Sequence, residues 1–208
     1  MRKALAVGLV GLVTLTSTAA VAQEGATAEN RQILISGEAR VRIETSIGDF
    51  VVALDAARAP QTVQNFLQYV VDDHYEGTIF HRVAAGFIVQ GGGYAPDLTL
   101  KPVQRTVFNE SGNGLSNRRG TIAMARGNDA HSADAQFYIN LIDNANLNPL
   151  PTRWGYAVFG EVVEGMEVVD LIGAVPTGAG GEFDRDVPAD PIIIERVVLL
   201  DDEEEQDE

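Results

Sequence analysis

Short runs of apolar residues separated by polar turns dominate this chain from about residue 41 onward. Val41 and Ile43 alternate with charged residues, and the apolar run 50–54 follows the turn 46–49. Two such runs on either side of a short turn predict a β-hairpin. Further apolar segments, each bounded by Gly, Asn or Pro, predict strands at 121–125, 136–141, 156–163 and 192–200.

Two segments have helical spacing instead. Apolar residues recur every three or four positions over 63–70, and Pro60 stands in the first turn, where proline is favoured. A second such stretch follows Gly165, whereas 176–191 contains Gly and Pro and is predicted to be a long loop. Seven or eight short strands with hairpin spacing and two helices predict a mainly β fold. We expect a closed antiparallel eight-stranded β-barrel capped by two α-helices.

The first 22 residues differ from the rest of the chain. Arg2 and Lys3 precede an apolar stretch, and Ala20-Val21-Ala22 supplies small residues at a cleavage position. This pattern predicts a secretory signal peptide cleaved near Ala22, since the apolar stretch is too short to cross a membrane. An uncleaved anchor is the alternative interpretation.

The remaining chain divides by composition into a polar linker at 23–38, a globular domain at 39–200 and an acidic tail at 201–208. The chain has no cysteine, so packing alone must stabilise an exported domain. Its formal net charge of −15 excludes nucleic acid as an expected partner. We expect a monomer in the periplasm, with no membrane contact after signal cleavage.

The segment from Phe80 to Gly92 contains an arginine within an apolar strand pattern. Such an arginine is costly unless it is paired or faces a cleft where its donors are used. Period two places Gln90 on the same strand face as Ile88, where an amide can hold an extended backbone. Arg82 is therefore a candidate catalytic group, and a buried ion-pair arginine is the alternative.

Four motifs in this chain resemble those of the cyclophilin family of peptidyl-prolyl cis-trans isomerases, over about Val41 to Leu200. They are the signature FHR-V-x-x-GF-x-x-QGG at 80–92, G-x-x-x-MA at 120–125, QF-x-I at 136–139 and VFG-x-V at 158–162. Within the family the chain is most similar to the exported bacterial branch. The resemblance implies a role as a rotamase, or chaperone, for exported proteins.

The resemblance also implies which residues form the site. Arg82 and Gln90 would be catalytic, with Phe87 joining the site from the bend before it. The implied substrate-binding residues are Phe87, Ile88, Met124, Ala125, Arg126, Gln136, Tyr138, Leu147 and Tyr156. The implied partners are proline-containing unfolded or extended polypeptides, and no cofactor or metal is expected.

The Arg82 guanidinium has the properties needed to lower the barrier to rotation about a peptide bond. The peptide bond resists rotation by about 18–20 kcal/mol because nitrogen shares its lone pair with the carbonyl. A donor aimed at the proline nitrogen would localise that lone pair, and a guanidinium is always charged and rigid. We therefore expect Arg82 to lower the barrier electrostatically.

Three positions depart from the family's commoner residues. The usual pocket histidine falls at Tyr156, whose phenol can still donate, and the rim tryptophan of many eukaryotic members falls at Asn146. The loss of that indole predicts weak binding of the inhibitor cyclosporin. Tyr138 replaces the commoner phenylalanine, so its hydroxyl needs a partner.

Two other function classes fit parts of the sequence. A module that binds extended proline-containing segments without turnover would use the same cleft, but it has no need of a charged donor at the rotating bond. A hydrolase or metal site is disfavoured because the three histidines have no neighbours at ligand spacing. The run Gly91-Gly92-Gly93 lacks the lysine or helix of a phosphate-binding loop.

Overall fold

The alternating residues at the start of the domain form the predicted hairpin. The computed structural model describes residues 39–200, and the predicted signal peptide, linker and acidic tail lie outside the described residues. Strands β1 (Ala39–Thr45) and β2 (Gly48–Leu54) pair antiparallel, with Ile43 opposite Phe50. Both of these side chains are buried, so the hairpin turns one face to the core.

The other elements follow in chain order. They are α1 (Pro60–Val71), β3 (Thr78–Ile79), β4 (Arg82–Ala84), β5 (Ile88–Gly91), β6 (Thr121–Met124), β7 (Phe137–Asn140), a 3₁₀ turn (Ala145–Leu147), β8 (Val158–Glu164), α2 (Met166–Gly173), β9 (Thr177–Gly180), β10 (Phe183–Pro188) and β11 (Ile193–Leu200). Among the described residues the two α-helices have 12 and 8 residues, and neither could span a membrane.

The closed eight-stranded barrel is not confirmed. Residues 39–200 contain one nine-stranded antiparallel sheet, in the order β3-β11-β1-β2-β8-β6-β7-β5-β4. The strands β3 and β4 lie at its two ends, and no ladder joins them within these residues. The mainly β architecture with two α-helices is confirmed, as a curled half-barrel.

The segment 176–191 is not the predicted loop. Strands β9 and β10 form a separate antiparallel hairpin, in which Gly180 pairs with Phe183 and Gly178 with Val187. Most of its residues are exposed, so the sequence has no apolar alternation that would predict strands. This hairpin carries Asp186 to the edge strand β4, where it affects the site.

Helix α1 covers the inner face of the sheet. Its start has no capping side chain of its own, and the carboxylate of Glu110 accepts hydrogen bonds from Thr62 N at 2.8 Å and Thr62 Oγ1 at 2.7 Å. A carboxylate at a helix N-terminus is favourable because it meets free N–H groups. Phe66 then packs against Phe137 and Phe159, with ring centroids 5.8 and 5.3 Å away.

Candidate active site

A single row of paired residues crosses the outer face of the sheet. In the register of the strands, Arg82 lies opposite Gln90, Gln90 opposite Tyr138, Tyr138 opposite Ala123, and Ala123 opposite Val158. Neighbouring strands lie about 4.8 Å apart, so the row spans roughly 20 Å. The row begins with a charged and an amide side chain and continues with apolar ones.

Arg82 is held at two of its three nitrogen atoms. Its Nη1 donates to Gln90 Oε1 at 3.4 Å, and its Nε lies 3.6 Å from Asp186 Oδ2. The Arg82 side chain is 33 % exposed, so the ion pair of the alternative interpretation is present, but the arginine is only partly buried. Within residues 39–200 Nη2 forms no hydrogen bond, which leaves its N–H groups for a ligand.

Gln90 links Arg82 to a second amide. Its Nε2 donates to Gln136 Oε1 at 3.2 Å. Gly93 makes room for this arrangement, because a Cβ there would lie 2.4 Å from Gln136 Cγ. Position 93 must therefore be a glycine for Gln136 to occupy this place. Arg82, Gln90 and Gln136 form one chain of hydrogen bonds.

Asp186 is a site residue that sequence reasoning missed. It lies about a hundred positions after Arg82, inside the segment predicted to be a loop, and its backbone has φ +67°. A non-glycine residue in the left-handed region is uncommon and is concentrated at functional sites. The cost of an unpaired charge at Arg82 was the one signal that a carboxylate partner was needed.

An apolar cluster adjoins this polar group, and we call its outer surface the pocket. Ile88, Ala123, Tyr138 and Val158 are buried at its floor, and the half-buried side chains packed against them are Ala84, Phe87, Leu115, Ala125, Leu147 and Tyr156. Phe87 arrives from the bend, where its N–H donates to Ala84 O at 3.0 Å and Gly86 has φ +65°. The structure thus brings most of the predicted wall residues together and adds Leu115.

Met124 is the exception, and its predicted place in the pocket is corrected. Its side chain is 1 % exposed and belongs to the main core, together with Phe137, its partner in the ladder. Side chains alternate along a strand, so Ala123 faces the pocket and Met124 faces the core. The motif therefore identifies a strand that lies at the site, but its methionine side chain points away from the pocket.

The neighbouring Ala125 and Arg126 differ in what they offer. The Ala125 N–H donates to Gln136 O at 2.9 Å, which leaves the Ala125 carbonyl for a ligand. The Arg126 guanidinium lies 4.6 Å from the centroid of the Tyr156 ring and donates from Nε to Gly155 O at 3.2 Å. Arg126 therefore fixes Tyr156 at the pocket wall through a cation–π contact.

The Tyr138 hydroxyl has the partner that its position requires. It donates to Asn117 Oδ1 at 2.7 Å, and Asn117 is itself buried. Burial raises the pKa of Tyr138 far above its usual value, with a further rise from Tyr156. The group is neutral at any physiological pH and its hydroxyl is taken up by Asn117, so Tyr138 contributes its ring to the floor and no charge.

His81 lies behind the site, between the rings of Tyr94 and Phe183 at centroid distances of 4.4 and 5.7 Å. Burial, followed by the charge of Arg82, lowers the pKa of His81 to about 4. The imidazole is therefore neutral near pH 7 and leaves Arg82 as the positive charge at this point of the sheet.

Comparison with known proteins identifies the fold. The family model described as "Cyclophilin type peptidyl-prolyl cis-trans isomerase/CLD" matches residues 40–199. A solved cyclophilin type peptidyl-prolyl cis-trans isomerase of Cryptosporidium parvum superimposes with a TM-score of 0.68 at 29% identity, covering 79% of this chain and 99% of that one. The same protein in the presence of the dipeptide Ala-Pro gives a TM-score of 0.67 at 30% identity, covering 78% and 99%.

Curated relatives agree with this result. Peptidyl-prolyl cis-trans isomerase cyp18 of Streptomyces antibioticus is 52% identical over 77% of this chain and 98% of its own length. Isomerase B of Escherichia coli K12 is 48% identical over 76% and 98%, and isomerase A of Dickeya dadantii is 43% identical over 92% and 96%. The chain therefore belongs to the cyclophilin family of peptidyl-prolyl cis-trans isomerases.

Proposed function

We propose that this protein accelerates cis/trans rotation about Xaa-Pro bonds in exported proteins as they fold, with Arg82 as the electrostatic donor to the proline nitrogen. The observation that carries the proposal is the orientation of Arg82. Nε faces Asp186 and Nη1 faces Gln90, so Nη2 is directed by two anchors and remains free for a substrate. A donor fixed before the substrate arrives needs no reorganisation during the reaction.

The pocket beside Arg82 has the chemistry that a proline ring requires. Its floor is apolar, and its half-buried walls include Phe87 and Leu147. The Cryptosporidium structure in the presence of Ala-Pro supports the same class of ligand for this chain. Seated there, the ring would place its nitrogen near Arg82, while Gln90 and the Ala125 carbonyl would hold the adjoining backbone.

Rotation needs no covalent step. As the proline nitrogen becomes pyramidal it regains its lone pair, and the Arg82 N–H can donate to that lone pair only in the twisted state. The donor therefore stabilises the transition state more than either planar isomer. Asp186 acts here as a positioning residue, because its carboxylate fixes the guanidinium and does not reach the substrate.

The Arg82→Ala variant tests this mechanism. Removing one preorganised donor should lower kcat/KM on an Ala-Pro test peptide by about two to three orders of magnitude. Arg118→Ala is the control for the loss of one arginine, because Arg118 is exposed and its guanidinium forms no ion pair within residues 39–200. An Arg82→Ala variant that is folded and fully active would contradict the mechanism.

Export is the second part of the proposal. The signal-peptide pattern at 1–22 supports release of a mature monomer that begins near residue 23 and works in the periplasm. Mass spectrometry of the protein recovered from a bacterial periplasmic fraction tests it. A chain that retains Met1 would contradict cleavage, and one that stays in the cytoplasmic fraction would contradict export. Light scattering of the purified protein tests whether it is a monomer.

A further inference from the structure

Two aromatic side chains remain exposed within residues 39–200, and they lie together. Phe108 is 52% and Trp154 43% exposed, although they belong to separate loops. They meet at His131, from a third loop, whose ring stacks on Phe108 at 4.1 Å and 14° and meets Trp154 at 5.1 Å and 70°. We call Phe108, His131 and Trp154 the aromatic ledge.

Hydrogen bonds fix the ledge in place. His131 Nδ1 accepts from Asn109 N at 3.2 Å, which sets the plane of the ring that Phe108 stacks on. Arg126 Nη2 donates to Trp154 O at 3.1 Å, which fixes the backbone that carries the indole. Scattered exposed apolar residues are ordinary, but a fixed group of three rings from three loops is a preformed contact surface.

The ledge continues directly into the proline pocket. Trp154 and Tyr156 are two residues apart, and the Arg126 side chain contacts both the Trp154 carbonyl and the Tyr156 ring. An open hollow of about 430 Å³ adjoins the indole, between Pro149, Leu150 and Arg153. An extended chain advances about 3.3 Å per residue, so the backbones of Trp154 and Tyr156 lie at most about 7 Å apart. With the reach of the two side chains added, we expect a peptide with proline beside Tyr156 to meet the ledge roughly three to five residues away.

The charged groups beside the ledge already have hydrogen-bond partners within the protein. The chain carries a net charge of −15, yet the guanidinium groups of Arg126 and Arg153 lie beside the ledge. The nearby carboxylate of Asp129 already accepts from His131 N at 2.8 Å. The contact therefore depends on the rings, and aromatic pairs prefer the stacked and edge-to-face geometries that two perpendicular walls provide.

We infer that the aromatic ledge binds an aromatic side chain of the substrate, three to five residues from the isomerised proline. This inference rests on the proposed function and extends it, because it names the substrate class. The preferred clients are extended, unfolded segments that carry Phe, Tyr or Trp near proline. Folded proteins bury those side chains, so the ledge directs the enzyme to chains that have not yet folded.

Peptide kinetics tests the inference. Two sets of Ala-Pro peptides carry Phe or Ala at three, four or five residues from the proline, on one side or the other. In at least one register, Phe should raise kcat/KM of the mature protein by about three- to tenfold through a lower KM. The variant Phe108→Ala/Trp154→Ala should lose this preference and keep its rate on the short Ala-Pro peptide.

A direct binding measurement accompanies the kinetics. Trp154 is the one tryptophan of the chain, so fluorescence excited selectively at tryptophan reports on the ledge. The Phe peptide should shift the emission of the wild-type protein at concentrations where the Ala peptide does not. Leu171→Ala is the matched control, because Leu171 is 58% exposed on α2, and it should leave both readouts unchanged.

The outcomes separate the two proposals. Equal kcat/KM for the Phe and Ala peptides in every register, or a preference that survives in the double variant, would overturn the ledge. Failure of the wild-type protein to accelerate the short Ala-Pro peptide would overturn the proposed function instead. Retention of the Phe preference in Phe108→Tyr, which keeps the ring, would support the ledge further.

Discussion

The two faces of strand β7 belong to different parts of the molecule. Phe137 and Ile139 have no exposed surface and face the main core, where Phe137 meets Phe66 edge-on at 5.8 Å. Tyr138, between them, faces outward and packs among half-buried side chains such as Phe87. One strand thus stabilises the fold on one face and shapes a ligand pocket on the other.

The difference between the faces lies in how completely each is filled. The core face is closed by aromatic rings in mutual contact, so a smaller side chain there leaves a cavity. The outer face is left open, and Arg82 retains a third of its exposure beside the pocket. A substitution on the core face should therefore change stability, and one of a group that is open to a ligand on the outer face should change activity.

Met124→Ala is the first test of this separation and has the largest expected effect. Truncation of a buried methionine should lower the free energy of unfolding by about 2–5 kcal/mol, while kcat/KM of the folded protein stays unchanged. Urea unfolding and a protease-coupled isomerase assay measure the two quantities. Met124→Leu, with similar volume, is the control and should cost less than about 1.5 kcal/mol. A folded Met124→Ala variant with strongly reduced kcat/KM would place Met124 in the site after all.

His81 gives the core side a pH dependence. Its pKa is about 4 in the folded state against the usual 6.5, so between these values only the unfolded chain takes up the proton. Stability is therefore complete above pH 6.5 and falls as the pH drops toward 4, by about 3 kcal/mol in total. Urea unfolding from pH 7.5 to 4 measures the loss.

His81→Gln is the comparison for that titration, because an amide does not ionise in this range. Its stability should be lower at pH 7 but should fall less steeply with acid than that of the wild type. Equal slopes for the two proteins would show that His81 does not contribute to the acid sensitivity.

Local patterns in the sequence predict much of this arrangement. Alternation and short turns identify the strands of the main sheet, and the motif at 80–92 leads to Arg82 and Gln90, which the structure places opposite one another. These features depend on residues close in sequence. Met124 shows the limit of a motif, since the neighbouring residue of a strand always points to the opposite face.

Features that depend on distant residues could not be predicted in the same way. Closure of the sheet depends on whether β3 and β4 pair with each other. Both strands are too short for their sequence to predict which strand they pair with. Asp186 reaches Arg82 only because an exposed glycine-containing hairpin folds back onto β4. The pattern of apolar residues does not predict that contact, because it depends on the charge of Asp186 and on its unusual backbone φ.

Asp186→Ala tests the outer face with a smaller expected effect. Without its partner at Nε the Arg82 guanidinium should reorient, and kcat should fall about tenfold with KM nearly unchanged. Asp184→Ala, on the exposed side of the same hairpin, is the control and should have no effect. Asp186→Glu should restore part of the rate.

A double variant separates positioning from a structural role. In the Arg82→Ala background, Asp186→Ala should have no further effect on kcat, since it acts through the arginine. An equal tenfold loss in both backgrounds would show that Asp186 acts by another route.

Tyr138→Phe and Tyr156→Phe have the smallest expected effects. Together they separate a pocket hydroxyl that stabilises the fold from one that is open to the substrate. The Tyr138 hydroxyl donates to buried Asn117 at 2.7 Å, so its removal should lower the free energy of unfolding by about 1 kcal/mol and leave kcat/KM unchanged.

The Tyr156 hydroxyl forms no hydrogen bond within residues 39–200 and is free to donate to the substrate. Its removal should lower kcat/KM about three- to tenfold without a change in stability. Both variants keep the ring, so packing is the same and only the hydroxyl is tested. If Tyr138→Phe lowered kcat/KM instead, the floor of the pocket would take part in substrate recognition. Tyr138 would then belong with the groups that contact the substrate and not with those that only stabilise the fold.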